Sequence, residues 1–135
     1  MSQPPFLIYI VDDDEDDLLF IHDAFKAIGL DDVLKGFYSG QELIQHIRFS
    51  EHEREPSMII LDYQMPFISG KALIQEIRNI HHLSKVPIIF YSDKINNDVE
   101  KELISAGALS CIKKGLTQKD QVQFVKYISQ LLKKG

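Results

Sequence analysis

Three runs of consecutive apolar residues each end at an acidic or hydroxyl side chain, and this recurrence constrains the chain more than any other feature. Phe6-Leu7-Ile8-Tyr9-Ile10-Val11 stops at Asp12-Asp13, Met58-Ile59-Ile60-Leu61 at Asp62, and Val86-Pro87-Ile88-Ile89-Phe90-Tyr91 at Ser92-Asp93. None of them alternates apolar with polar residues. Runs this short and continuous, partly β-branched, indicate strands of a parallel sheet covered on both faces. A side chain on the last residue of such a strand stands at the sheet edge, where α/β folds place their ligands. Asp62 is the foremost candidate. Tyr63-Gln64-Met65-Pro66-Phe67-Ile68-Ser69-Gly70 follows it at once, with Pro66 and Gly70 turning the chain before a new helical pattern.

Between these runs the apolar period becomes helical. Leu18, Ile21, Phe25 and Ile28 recur at helical spacing, with Gly29 as a C-terminal stop. Val33 to Tyr38 reads as an edge-like second strand, and Ser39 with Glu42 forms a capping box ahead of Leu43, Ile44 and Ile47. Leu73, Ile74, Ile77 and Ile80 mark a third helix; Val99, Leu103 and Ile104 lead a fourth that ends near Gly107. Leu109 to Ile112 is a short fifth strand followed by Lys113-Lys114-Gly115. Thr117 and Asp120 then cap a last helix whose Val122, Val125, Ile128 and Leu132 face inward. Five βα units in a row predict an α/β fold, a doubly wound parallel sheet with right-handed crossovers and helices on both faces. Residues 1–135 are expected to form one domain, with Met1 to Pro5 as a loose tail and no linker, repeat or output domain.

The balance of 44% apolar and 26% charged residues suits a soluble globular protein, and the formal charge of -5 argues against nucleic acid or an anionic membrane as partner. Cys111 is the only cysteine, so no intrachain disulfide can form; with no signal-like leader and no long apolar span, a cytoplasmic location is expected. His22, His46, His52, His81 and His82 lack ligand spacing and read as surface or packing groups.

With the first and third strands near the middle of the sheet, Asp12, Asp13 and Asp62 converge on one crevice. Three close carboxylates need neutralising, and an oxygen-only cluster suits a hard cation such as Mg²⁺ (or Mn²⁺). Two more strand ends bring the Ser92 hydroxyl and the ammonium of Lys114 or Lys113 to the same edge. The set suits phosphoryl transfer, with a carboxylate as nucleophile, a bridging metal, and lysine and hydroxyl offsetting charge on the transferred group. Asp14 to Asp17 read as a solvated helix start, and Phe67, Phe90 and Tyr91 as aromatic bulk near the rim.

From end to end the chain resembles the receiver domain of two-component response regulators, of the CheY-like, stand-alone type. The acidic pair matches Asp12-Asp13; the phospho-accepting aspartate and its turn match Asp62, Met65-Pro66 and Gly70; the hydroxyl matches Ser92 and the lysine Lys114. The spacings, thirty residues from Asp62 to Ser92 and twenty-two from Ser92 to Lys114, agree jointly with the family. The resemblance implies a flavodoxin-like sheet of strand order 2-1-3-4-5. It also implies a metal held by Asp12, Asp13, Asp62 and the Gln64 backbone carbonyl, with Asp62, Ser92 and Lys114 as the catalytic set. The implied donor is a sensor histidine kinase or phosphotransfer protein. The implied output is an effector protein or a homodimer, reached through the fourth helix, fifth strand and fifth helix, here roughly Val99 to Leu132. Three positions depart from the family pattern. Cys111 stands where a switching aromatic is usual, Gly115 where a cis proline follows the lysine, and Asp93 where a small residue is usual. A trans, looser loop is therefore expected at Gly115.

Two other functions compete. One is a receiver-like binding module that no longer needs phosphate. The other is a phosphatase resembling the haloacid dehalogenase group, with Asp12 as nucleophile and Asp14 two residues on. The aspartate that carries the phosphate separates them.

Overall fold

A computed structural model describes residues 4–49, 54–64, 68–80 and 83–134. The chain runs β1 (Ile8–Val11), α1 (Glu15–Ala27), β2 (Leu34–Phe37), α2 (Gly40–Phe49), β3 (Met58–Leu61), α3 (Gly70–Arg78), β4 (Ile88–Ser92), α4 (Asn97–Ser105), β5 (Ser110–Lys113) and α5 (Gln118–Lys134). All five strands are parallel, in the order β2-β1-β3-β4-β5. The expected (βα)5 architecture and strand order are those found.

Side-chain alternation along the central strands explains why their sequences show no polar gaps. Tyr9, Val11, Ile59, Leu61, Ile88 and Phe90 point into one core, against Leu43, Ile44, Ile47, Leu73, Ile74, Ile77 and Leu103 of α2, α3 and α4. Ile8, Ile10, Met58, Ile60, Ile89 and Tyr91 point into the other, against α1 (Ile21, Ala24, Phe25) and α5 (Phe124, Val125, Ile128). Successive strand residues face opposite ways, so a strand with a core on each side must be apolar throughout. Phe90 and Tyr91 thus belong to the two interiors rather than to the rim; Phe67 lies outside the described residues, as do His52, His81, His82 and the Met65-Pro66 turn.

Local chemistry sets the element boundaries. Asp14 caps α1, its carboxylate accepting the N–H groups of Asp16 (2.9 Å) and Asp17 (3.4 Å). Gly29, at φ +81°, closes the far end of α1 in the left-handed conformation that favours glycine. The Ser39 hydroxyl accepts from Glu42 N–H as expected, but Glu42 reaches back to Tyr38 N–H, one residue beyond the usual box. Thr117 and Asp120 cap α5 reciprocally, at 3.1 and 3.2 Å. The carbonyls of Pro4 and Pro5, within the expected tail, accept the Arg54 guanidinium. Ile104 lies 45% exposed, since one narrow helix face reaches the sheet and Leu103 occupies it.

Arg78, in the last turn of α3, ties this side of the sheet together. Its guanidinium donates to the carbonyls of Leu83 (3.2 Å), Val86 (2.6 Å) and Gly107 (2.9 Å), joining the approach to β4 to the end of α4. Replacing it strands three acceptors at once. Arg78→Ala should lower unfolding stability by about 1–3 kcal/mol, and Arg78→Lys should recover only part, since one ammonium cannot reproduce the planar fork. Urea unfolding of the three proteins measures both effects.

Candidate functional site

The register of the sheet carries the acidic residues to one place. Val11 pairs with Leu61 and Leu61 with Phe90, so Asp12 and Asp62 leave β1 and β3 side by side. Backbone bonds hold this edge past the strands: Asp12 N–H donates to Phe37 O and Asp62 N–H to Val11 O, both at 3.0 Å. Continuing the alternation, Asp12 follows Ile10, Asp62 follows Ile60 and Lys114 follows Ile112, all of which face α1 and α5. Lys113 takes the opposite parity and is exposed. Alternation therefore decides between the two lysines, and Lys114 is the one in the crevice.

Carboxylate oxygens of Asp12, Asp13 and Asp62 lie within 4.8 Å of one another. Asp12 and Asp62 are buried, at 3% and 8% exposure, while Asp13 opens to solvent. Each buried carboxylate is aimed by its own backbone. Asp12 Oδ1 accepts Asp14 N–H at 2.9 Å and Asp62 Oδ1 accepts Gln64 N–H at 3.0 Å. Their other oxygens turn to Lys114 Nζ, 2.8 Å from Asp12 Oδ2 and 3.2 Å from Asp62 Oδ2. Burial pushes the Asp12 carboxyl up to about 6, although Lys114 pulls it down. For Lys114, burial works against the charged form, but the bonds to Asp12 and Asp17 outweigh it and raise the ammonium above its ordinary range. Three acidic groups this close fit a divalent cation through oxygen donors alone.

Ser92 ends β4 fully buried, and its hydroxyl has no hydrogen-bond partner among the described residues. Asp93, next to it, is exposed. Cys111 faces the α2–α4 core, half-buried, and burial pushes its thiol up to about 11. Tyr91 faces the other core. Its ring stacks on Phe124 of α5 at 3.9 Å and 6°, with Lys114 Nζ 5.9 Å from the centroid, and burial pushes its phenol up to about 12. The Lys114–Gly115 peptide is trans. The loop there is tight rather than loose: a Cβ on Gly115 would lie 2.1 Å from Asp120 Cβ. Glycine stands at this position because the start of α5 occupies the space of a side chain.

One residue of the site escaped the sequence reading. Asp17, read as part of a solvated face, places Oδ2 2.8 Å from Lys114 Nζ. The signal was its position four residues before Ile21, at the head of the α1 stripe that packs on the sheet. Charge concealed it, because an acidic residue near a helix start has a sufficient local reason to be there. His22 is exposed, and His46 packs half-buried between the rings of Tyr9 and Phe37, so neither joins the crevice.

Comparison with known proteins agrees with this geometry. The family model "Response regulator receiver domain" matches residues 8–126. The probable methanogenesis regulatory protein FilR2 of Methanothrix harundinacea is 22% identical over 131 residues, spanning 96% of this chain and 84% of that protein. Response regulator Rcp1 of Synechocystis is 24% identical over 100 residues, 72% of this chain and 68% of Rcp1. Among solved structures, the phosphorylated cyanobacterial phytochrome response regulator RcpA superposes with a TM-score of 0.83 at 22% identity, covering 94% of this chain and 93% of that one. The Mn²⁺-bound form of Rcp1 gives 0.79 at 21% identity, covering 93% of each chain. Superpositions at this identity speak for the fold, whereas the family model spans nearly the whole sheet and its helices. The chain belongs to the response regulator receiver domain family, the aspartate phospho-acceptor switches of two-component signalling.

Proposed function

We infer that Asp62 is the phospho-acceptor of this receiver and that Ser92 and Lys114 assist the transfer. The observation carrying this reading is the meeting of Asp12, Asp13, Asp62 and Lys114 at the ends of neighbouring parallel strands. An Asp62 oxygen attacks the phosphorus of a phosphohistidine. The P–N bond breaks with its electron pair returning to the imidazole, and an acyl phosphate remains on Asp62. Water later cleaves it to inorganic phosphate and the free carboxylate. Lys114 and the Ser92 hydroxyl, which has no partner among the described residues, are the donors that equatorial phosphoryl oxygens require.

Asp12, Asp13, Asp62 and the Gln64 carbonyl are the groups that would hold Mg²⁺, or Mn²⁺ as in the Rcp1 form. The cation would supply positive charge for the carboxylates and the phosphoryl oxygens. Two similar structures, one of a phosphorylated regulator and one of a Mn²⁺-bound form, support both halves of this reading. The donor is a histidine kinase or phosphotransfer protein. Residues 1–135 act as one receiver unit, and the signal leaves through α4, β5 and α5 to an effector or a second copy. Ile104, Leu109 and Tyr127, 41–55% exposed, support that face. The dehalogenase-like reading is weakened by Asp14, whose carboxylate caps α1 rather than joining Asp12. We place its action in the cytoplasm; among the described residues no helix is long and apolar enough to cross a membrane.

Intact mass after incubation with acetyl phosphate and Mg²⁺ should show one added phosphoryl group that is lost in Asp62→Ala. Ser92→Ala and Lys114→Ala should slow its appearance about a hundredfold. A gain that survives in Asp62→Ala but vanishes in Asp12→Ala would favour the phosphatase. No gain from acetyl phosphate or from a phosphohistidine donor would leave a phosphate-independent module.

The Asp12 carboxyl must be ionised to accept a cation. Mg²⁺ affinity followed by calorimetry should therefore fall as the pH drops below about 6, approaching tenfold per unit, with proton release on binding. Stability of the metal-free protein should respond in the opposite sense. Asp12 binds its proton more tightly folded than unfolded, so its contribution improves as pH falls from about 6 towards the ordinary aspartate value of 3.8 and is lost as pH rises back through that window.

A further inference from the structure

An ammonium has three N–H donors, and Lys114 directs all three at carboxylates: Asp12 at 2.8 Å, Asp17 at 2.8 Å and Asp62 at 3.2 Å. With this set complete, no donor is left for a phosphoryl oxygen. One carboxylate must release the lysine before it can serve the transfer. Asp12 and Asp62 belong to the cluster that a divalent cation would occupy, and a cation there weakens their hold on a second positive charge. Asp17 stands outside that cluster, on α1, and its carboxylate is not the helix cap, which Asp14 provides. It therefore keeps its grip when the other two are drawn off.

We propose that Asp17 is a positioning residue that tethers Lys114 in the resting site and competes with the incoming phosphoryl group for it. This rests on the reading of Asp62 as phospho-acceptor. The tether has two effects of the same sign. It keeps the ammonium drawn to α1, so that the N–H groups released by Asp12 and Asp62 are held back from the phosphoryl oxygens they should stabilise in the transition state, and it adds negative charge to the path of an anionic donor. The Asp17 side chain is 34% exposed, so solvent screens the second effect and the first dominates. Asp17 thus sets how readily the receiver is charged, without touching the reacting atoms.

The test is the initial rate of phosphoryl gain from acetyl phosphate with Mg²⁺, read by mass. Asp17→Asn should raise that rate about three- to tenfold. Asp17→Glu, which keeps the charge within reach, should return it towards wild type. In a Lys114→Ala background the Asp17→Asn effect should vanish, because the residue acts through the lysine. An unchanged or lower rate in Asp17→Asn, or the same acceleration without Lys114, would overturn the proposal. A second measurement is independent of phosphorylation: solvent exchange of the Lys114 ammonium by ¹⁵N NMR at saturating Mg²⁺. Protection that persists in wild type and is lost in Asp17→Asn supports the tether; equal exchange in both proteins refutes it. An unlabelled wild type with protection intact would instead refute the phospho-acceptor reading alone.

Discussion

Mutual repulsion among carboxylates at the ends of β1 and β3 is the constraint on which the site depends. Asp12 and Asp62 are buried at neighbouring strand ends, and Asp13 stands beside them. Such a group is tolerable only with positive charge placed among it. Lys114 supplies that charge from the end of β5, one strand beyond β4, and can do so because parallel strands all end on the same edge. An antiparallel sheet would have sent one of these ends to the opposite side of the molecule. The topology is thus a requirement of the charge arrangement.

The alternation of side chains divides the work between the two faces. Asp12, Asp62 and Lys114 share the face of α1 and α5, and so meet Asp17. Ser92 takes the parity of Phe90, on the face of α2, α3 and α4. The hydroxyl and the ammonium therefore leave the sheet on opposite faces. Cys111 lies on the Ser92 side and Tyr91 on the Lys114 side. A change at either donor is felt first by a different layer of helices.

The architecture was legible in the sequence because a doubly covered parallel strand is apolar at every position, and each such run ended at a polar residue. Asp12, Asp13, Asp62 and Ser92 could be singled out for that reason, whereas the lysine was narrowed only to Lys113 or Lys114 until the resemblance to receiver domains pointed to Lys114. Asp17 was not singled out, because the sign of its charge satisfied two explanations and only the rotation of α1 against the sheet separates them. Which of Leu103 and Ile104 faces the sheet was not legible for a similar cause. Two adjacent apolar residues compete for one narrow face, and packing chose Leu103. Glycine at 115 looked like slack from its composition, yet the neighbouring helix start gives it the contrary meaning.

That glycine makes the last helix a lever. The backbone carrying Lys114 lies flush against the first turn of α5, and one turn further Tyr91 rests flat on Phe124. With no room for a side chain between loop and helix, a displacement of the lysine's backbone is not absorbed by a slack hinge. It passes to a stiff rod of seventeen residues, about 25 Å long. A rod pushed near one end pivots, and its distant end travels farther than the point that was pushed.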